Sequence, residues 1–446
     1  MQKDLTSGSV FKTLIKFSLP FLLSSFLQTL YGLADLFIVG QYNGADVISA
    51  VSVGSQIMHM LTVMIVGLAM GATVRIGKEV GAKDINGMNK TIGNIASLFI
   101  AVSVVLTFVL LAFTKQIVHI MSTPKEAVEQ TILYIKVCFM GIPFITAYNI
   151  ISSVLRGMGD SKSPMYFVAI ACILNIVLDY LFVGAFSMRA EGAAIATVLA
   201  QTLSVVLALF YITKSRHGIK LRKADFAPEK STIKDILKVG VPVCLQDGFI
   251  QISFILITII ANRRGVEIAA AVGIVEKIIC FLFLVPSAML SSVSALVAQN
   301  IGAKKEKRAK QTLYYALLIS AVAGVLFTVI CEIFAYPVLS LFTDEHAVAV
   351  FGSQYLKAYV FDCIAAGIHF CYSGYFCALG KSMVSFFHNV ASILLVRVPG
   401  AYFAAIMFPD NLFPMGLAAP LGSLLSALIC IGVYIYTNKN KASDIV

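Results

Sequence analysis

Tryptophan is absent from the 446 residues, so any aromatic belt at a membrane surface has to be built from tyrosine. Charge is scarce. Asp, Glu, Lys and Arg make up 13% of the chain, against about 25% in soluble domains. Hydrophobic residues make up 59%, and the mean hydropathy is +0.89. This balance excludes a soluble globular protein and implies an integral membrane protein. Acid is scarcer than base, 23 against 34, for a net charge of +11. No soluble domain presents this excess to nucleic acid, so no nucleic-acid partner is expected. Basic residues gathered in loops on one side of a membrane account for it.

Other absences narrow the function. The nine cysteines, Cys138 to Cys430, are odd in number, fall in apolar segments and form no C-x-x-C pair. They read as small buried hydrophobes, not as a disulfide frame or metal site. No H-E-x-x-H, G-x-S-x-G or P-loop occurs, so neither an enzyme nor an ATP-driven machine is expected, and no cofactor. The first apolar run, Phe17 to Val39, is too long for a signal-peptide core and lacks a cleavage pattern after it.

What is present is a series of apolar runs of about 20 residues or more. They predict an all-α polytopic protein with twelve spans, near 14–39, 47–74, 91–113, 131–155, 164–187, 191–213, 235–260, 267–298, 312–336, 352–379, 384–408 and 414–437. The segments are too long for β-barrel strands. Of the 34 basic residues, 25 fall in one set of loops and 6 in the opposite set. Lys277, Lys357 and Arg397 lie within spans. The asymmetry predicts cytoplasmic termini in a multi-pass cell-membrane protein.

The chain repeats itself. Val80-Gly81-Ala82-Lys83 returns as Ile301-Gly302-Ala303-Lys304, Gly159-Asp160-Ser161-Lys162 as Gly380-Lys381-Ser382, and Tyr134-Ile-Lys136 as Tyr355-Leu-Lys357, all offset by 221. Pro20 returns as Pro242 at 222. Six spans per copy make the repeats parallel, related by a pseudo-two-fold axis along the membrane normal with a cavity between them. The expected lobes are 1–213 and 235–446. The basic stretch 214–234 is expected to be a solvated cytoplasmic linker beside anionic lipid heads.

Polar groups inside the spans point to function. Asp35 shares a helical face with Gln28 and Tyr31, and Asn175 with Asp179. Asn149, Thr197 and Gln201 add polar groups in neighbouring spans. Two carboxyls held away from water cannot both stay ionised cheaply. Such a pair is expected to exchange a proton, or a transient Na⁺, whose preference for carboxylate, amide and hydroxyl oxygens it matches. Pro20 marks either a static kink or a hinge in the first span. The second half lacks counterparts: Ile257, Val396 and Gly400 stand where Asp35, Asn175 and Asp179 would. Its own candidates are Gln246, Asp247, Glu276, Asp362, His369, His388 and Arg397, with Asp362–Lys357, or Arg397 with a nearby acid, read as structural ion pairs. A lone His369 is read as packing ahead of a proton relay. Met and Phe, 15 and 31 residues, offer soft surfaces for varied apolar cargo.

These features resemble the multidrug and toxic compound extrusion (MATE) family. The resemblance spans nearly the whole chain and is most specific at Leu19-Pro20, Tyr31-Gly-Leu-Ala-Asp35, Arg156-Gly-Met-Gly-Asp160, Asn175-Ile-Val-Leu-Asp179 and Gln299-Asn300-Ile-Gly-Ala303. It implies cation-coupled export of organic, often cationic, compounds by rocker-switch alternating access, with a monomer expected. Matched position by position to the prokaryotic branch with an acidic site in the first lobe, the functional residues are Pro20, Tyr31, Asp35, Tyr134, Asn149, Asn175, Asp179 and Thr197. Another branch places a Glu deeper in span seven. Here Ile250 and Gln251 stand near that place, with Asp247 displaced, which leaves Asp362 for any second-lobe site. The alternative reading is a lipid or lipid-linked oligosaccharide flippase of the same superfamily, which predicts a strongly cationic cavity. The acidic first half disfavours it.

Overall fold

The computed structural model describes residues 4–121, 123–214, 219 and 221–443. Lys3, Arg216 and Lys220, part of the basic census, lie outside the described residues, as does the side chain of Lys441. Among the described residues the regular structure is helical, without strands. In order the helices are α1 Val10–Tyr42, α2 Ala45–Gly81, α3 Ile85–Ala112, α4 Thr114–Ile120, α5 Val128–Met140, α6 Ile142–Gly157, α7 Lys162–Asp179, α8 Ala190–Lys214 and α9 Lys230–Asn262. There follow α10 Val266–Leu282, α11 Leu284–Gly302, α12 Glu306–Ser340, α13 His346–Tyr359, α14 Asp362–Ala378, α15 Ser382–Ser392, α16 Val398–Met407 and α17 Phe413–Ser443.

Ten helical stretches are long and apolar enough to cross a bilayer. Two more spans form when α5 joins α6 and α13 joins α14, bent by 48° and 40°. The resulting twelve coincide one for one with the apolar runs. Large apolar side chains such as Phe37, Phe108 and Leu395 stand exposed, at 64%, 71% and 71%, as a surface facing lipid tails requires.

The internal repeat is visible in the backbone. Lys83 and Lys304 both end a helix in the left-handed region, with φ of 60° and 58°; Gly159 and Gly380 do the same at 91° and 77°. Each is followed by an amide that reaches back five residues: Asp84 to Glu79, Lys305 to Asn300, Asp160 to Leu155 and Lys381 to Phe376, at 2.8–2.9 Å. This closure satisfies carbonyls left open at a helix end. The bent spans are the fourth of each half, and π-helical turns, Tyr180–Ala185 and Ile393–Arg397, interrupt the fifth of each.

The chain divides into two compact units. One comprises 1–7, 19–240 and 302–304, the other 8–18, 241–301 and 305–446. The first is built on three apolar clusters, around Ile135, Ile76 and Leu155. The second has a core around Val272, Tyr355 and Met415. The two helices that carry the repeated proline, α1 at Pro20 and α9 at Pro242, run on without a break.

Two expectations are corrected. The stretch between the halves is not simply a solvated tether. Lys223–Phe226 forms a 3₁₀ turn clamped to α3. Asn94 donates to the Asp225 carbonyl at 3.2 Å and accepts from the Glu229 amide at 2.6 Å, and Ser97 donates to the Phe226 carbonyl at 2.8 Å. The described cysteines are all free thiols, but Cys280 is exposed on α10 and Cys244 is half-buried, so seven of the nine are core residues.

Candidate functional site

Three helical stripes of the first unit meet. From α1 come Gln28, Tyr31 and Asp35; from α7 Ala171, Asn175 and Asp179; from α8 Thr197, Gln201 and Ser204. Each stripe repeats at three- or four-residue spacing, which places its members on one side of a helix. The α1 contact is fixed from both partners: Thr197 Oγ1 donates to Asp35 Oδ2 at 3.2 Å, and Gln201 Nε2 donates to the Tyr31 hydroxyl at 3.3 Å. The Cys172 thiol points at the Leu27 carbonyl at 3.9 Å.

Asp35, Asn175 and Asp179 are buried, 3%, 1% and 0% exposed. The Asp179 and Asn175 side chains lie within electrostatic reach of Asp35. Neither closes a hydrogen bond of ordinary geometry with it. Asp35 Oδ1, both Asp179 carboxyl oxygens and both Asn175 amide atoms have no hydrogen-bond partner among the described residues. Buried polar atoms left this way are costly and rare in native folds. Five of them converge here. Asp179 is the last residue of α7, immediately before the π turn, a helical irregularity often found at functional positions.

Gln28, Tyr31, Asn175, Thr197, Gln201 and Ser204 line a small cavity of about 10 Å³. One water needs about 10–15 Å³, so this is room for a single water or ion and not for a drug-sized molecule. Arginine and lysine are missing from its walls. The Asp35 and Asp179 carboxyls are not among its walls; together with the Asn175 amide and the Thr197 hydroxyl, which are, they make a donor set that matches a hard cation or a proton.

Tyr134 joins from the side. It is 2% exposed, within electrostatic reach of Asp35 and Tyr31, and its ring packs directly on Gly54 of α2. A Cβ at Gly54 would lie 2.3 Å from Tyr134 Cδ1, so only glycine fits. Gly141, at the bend between α5 and α6, gives Val198 of α8 the same close approach, 2.5 Å from where a Cβ would stand. Asn149 is placed differently. It is buried, and its amide donates to the Ile145 carbonyl of its own helix at 2.8 Å. Pro20 lies four turns before Asp35 on α1. Ser204 was missed in the sequence, although it continues the Thr197–Gln201 stripe.

The second unit arranges its polar residues otherwise. Gln246 is buried with Oε1 unpartnered, and Asp247 is half-buried near Cys244 and Cys377. Asp362 makes no ion pair with Lys357. It is fully buried in the first turn of α14, with Arg397 in electrostatic reach and Ser423 beside it. Lys357 lies five positions before it, a spacing that puts two side chains on different faces even of a continuous helix. Arg397 donates to the Tyr359 hydroxyl and lies 4.7 Å from the Phe254 ring centre, with Glu276 also in reach. Glu276 accepts from Thr258 at 3.3 Å. His369 and His388 stack edge to face at 5.4 Å, and His388 Nε2 meets the Ser373 hydroxyl at 2.9 Å. No cluster of three or more metal-ligating side chains occurs among the described residues.

Comparison with known proteins matches residues 20–181 and again 242–403 to the MatE family, two copies displaced by 222. The chain is similar to the probable multidrug resistance protein YpnP of Bacillus subtilis (strain 168), at 30% identity over 396 residues, 89% of this chain and 88% of that one. It is similar to the multidrug export protein MepA of Staphylococcus aureus (strain N315), at 25% over 424 residues, 94% and 91% of the two chains. Its fold matches a crystal structure of MATE in the bent conformation with a TM-score of 0.91, at 22% identity and covering 99% and 98%. The doubled match covers most of a twelve-span, two-unit helical chain, which therefore belongs to the MATE family of efflux transporters.

Proposed function

We propose that the chain is a cation-coupled multidrug antiporter that exports organic, often cationic, compounds across the cell membrane by rocker-switch alternating access. H⁺ or Na⁺ is exchanged at Asp35 and the Asn175/Asp179 pair. The observation that carries this reading is that five unpartnered carboxyl and amide atoms, from Asp35, Asn175 and Asp179, are buried together in the first unit, where Asn175 and Thr197 also line a small cavity. One proton shared between Asp35 and Asp179, or one Na⁺ held by both, relieves their repulsion. Export of cargo then draws on the ion gradient, which supplies about 2.3 kcal/mol per charge per 100 mV besides its chemical part.

Several lines support the reading. The relatives' names describe multidrug resistance and export. The cavity has no basic wall, unlike a site for pyrophosphate-linked cargo. Thr197 orients Asp35, and Gln28, Tyr31 and Gln201 continue the polar wall away from the acids. The termini are placed in the cytoplasm by the basic-residue asymmetry, and the protein works as a monomer in the bilayer, without nucleic acid or resident cofactor.

The test is efflux of ethidium from vesicles containing the purified chain, under imposed pH or Na⁺ gradients. Asp35→Asn and Asp179→Asn are each expected to abolish gradient-driven efflux while the protein still reaches the membrane. Full transport by both variants rejects the acid-site mechanism. Dependence on one gradient alone identifies the ion.

A further inference from the structure

Among the described residues two arginines are buried, and they are compensated differently. Arg397 in the second unit has Asp362 and Glu276 within electrostatic reach. Arg156 in the first unit has no carboxylate. It occupies the last turn of α6 and is 9% exposed. Its Nη2 donates to Ser153 Oγ at 2.8 Å, and its guanidinium lies 5.1 Å from the ring centre of Phe21 on α1. The titratable group in electrostatic reach is the neutral phenol of Tyr148, whose hydroxyl donates to the Pro164 carbonyl at 3.0 Å. The Arg156 Nε is buried with no acceptor.

A second unsatisfied group stands beside it. Ser152, 2% exposed, is one turn back on the same face of α6, and its hydroxyl closes no hydrogen bond of ordinary geometry. Ser24 of α1, 8% exposed, faces the same Tyr148 phenol. Two helices thus present a guanidinium and two serine hydroxyls, both beside Tyr148, to one place, and none of the described carboxylates is within electrostatic reach of the guanidinium.

Removing a guanidinium from water is expensive unless an opposite charge meets it. The Phe21 ring face and the C-terminal end of α6 each favour a cation there, but both are partial charges. A full anion is the missing component. The location selects its kind. α6 ends at Gly157, and the connection to α7 at Lys162 is four residues long, so Arg156 lies where a span leaves the bilayer. That is the depth of lipid phosphates. A guanidinium fork with hydroxyl donors suits a tetrahedral oxyanion with several acceptor oxygens. The equivalent position of the second half is Cys377, so the feature is particular to the first.

We propose that Arg156, Ser152 and Ser24 form a binding site for a phosphate group, bridging α1 to α6 near the membrane surface. A lipid headgroup and a free phosphate compound share this chemistry. The site is independent of the ion-exchange reading, since none of its residues lines the cavity at Asn175 and Thr197 or is among Asp35, Asn175 and Asp179.

The experiment measures thermal unfolding of the full purified chain with a thiol-reactive dye, which the largely buried cysteines make informative in the absence of tryptophan. One arm titrates sodium phosphate against sodium chloride at equal ionic strength. The other adds dioleoyl phosphatidic acid to the micelles against dioleoylglycerol. Protection by phosphate alone assigns a free anion; protection by phosphatidic acid only assigns a headgroup; either supports the site. Arg156→Gln is expected to weaken the protecting ligand about 10- to 100-fold, and Ser152→Ala by a smaller factor, in line with charged and neutral hydrogen bonds. No protection of the native chain in either arm overturns the proposal. So does protection that both variants retain in full. If Arg156→Gln does not fold, Ser152→Ala decides, and an unchanged affinity in that variant overturns it.

Discussion

Thr197 Oγ1 donates to Asp35 Oδ2 at 3.2 Å, and it is the hydrogen bond of ordinary geometry that Asp35's carboxyl receives from a neighbouring helix. The other oxygen, Oδ1, has no hydrogen-bond partner among the described residues, while the Asn175 and Asp179 side chains lie within electrostatic reach of the carboxyl. One oxygen is therefore anchored and the other is free for exchange. Thr197→Val keeps the shape and removes the anchor. It is expected to lower gradient-driven ethidium efflux about 10-fold, the value of a hydrogen bond to a charged group. Thr197→Ser restores the donor and is expected to stay within about threefold of native. The readout is initial efflux rate against imposed ion gradient. Equal rates for Val and Ser would remove Thr197 from the mechanism.

Much of this site was legible because helical periodicity is a one-dimensional property. Gln28, Tyr31 and Asp35, or Asn175 and Asp179, declare a shared face by spacing alone, and the family resemblance brought Thr197 to the same place. What stayed hidden depends on approaches between distant segments. Nothing at Gly54 announces the Tyr134 ring, 80 residues on. Asn94 carries no periodic signal for holding the linker. Arg156 was counted as a loop cation because a charge census does not register burial. Lys357 and Asp362 are near in sequence, but a five-residue spacing turns their side chains to different faces of a helix, and the 40° bend between α13 and α14 falls between them. Asn149 has the right residue type, but its own helix uses its amide.

The Gly54–Tyr134 contact yields a stability prediction. Gly54→Ala puts a methyl 2.3 Å from the ring. Overpacking of this kind costs about 1–3 kcal/mol. The variant is expected to unfold at lower temperature in a thiol-exposure assay and to lose efflux, because the displaced phenol sits beside Asp35. Tyr134→Leu in the same chain vacates the ring and is expected to recover most of the stability but not the transport. Two independent, additive losses would show that the two residues do not meet as described.

The linker clamp is expected to respond to acid. Glu229 lies just before α9, where the Thr232 hydroxyl first and then Lys90 hold its carboxyl below the ordinary value of 4.5. Lys90 Nζ stands 3.0 Å from Glu229 Oε1. A carboxyl depressed in the folded state stabilises fully above its ordinary range. That contribution is lost as pH falls from about 4.5 through the lower folded value. Limited proteolysis near residues 221–229 is expected to accelerate over that interval. Asn94→Ala, which removes the bonds to Asp225 and Glu229, is expected to bring fast cleavage already at neutral pH. A cleavage rate indifferent to both would mean that the turn is not held by α3.

Arg397 offers the complementary case to Arg156, since its counter-charges are built in. Arg397→Met leaves the buried Asp362 and the half-buried Glu276 without their cation. Breaking such an arrangement from one side costs about 3–5 kcal/mol, whereas replacing all of its charges together is often neutral. Arg397→Met is therefore expected to lower the unfolding temperature by many degrees. Adding Asp362→Asn and Glu276→Gln to that variant is expected to restore most of the loss, although each acid substitution alone destabilises the native chain. Comparing the single and combined variants separates electrostatic coupling from the packing of Arg397 on Phe254 and Tyr359, which every variant carrying Arg397→Met loses equally. If the acid substitutions restore nothing, the aromatic contacts, and not the charges, hold Arg397 in place.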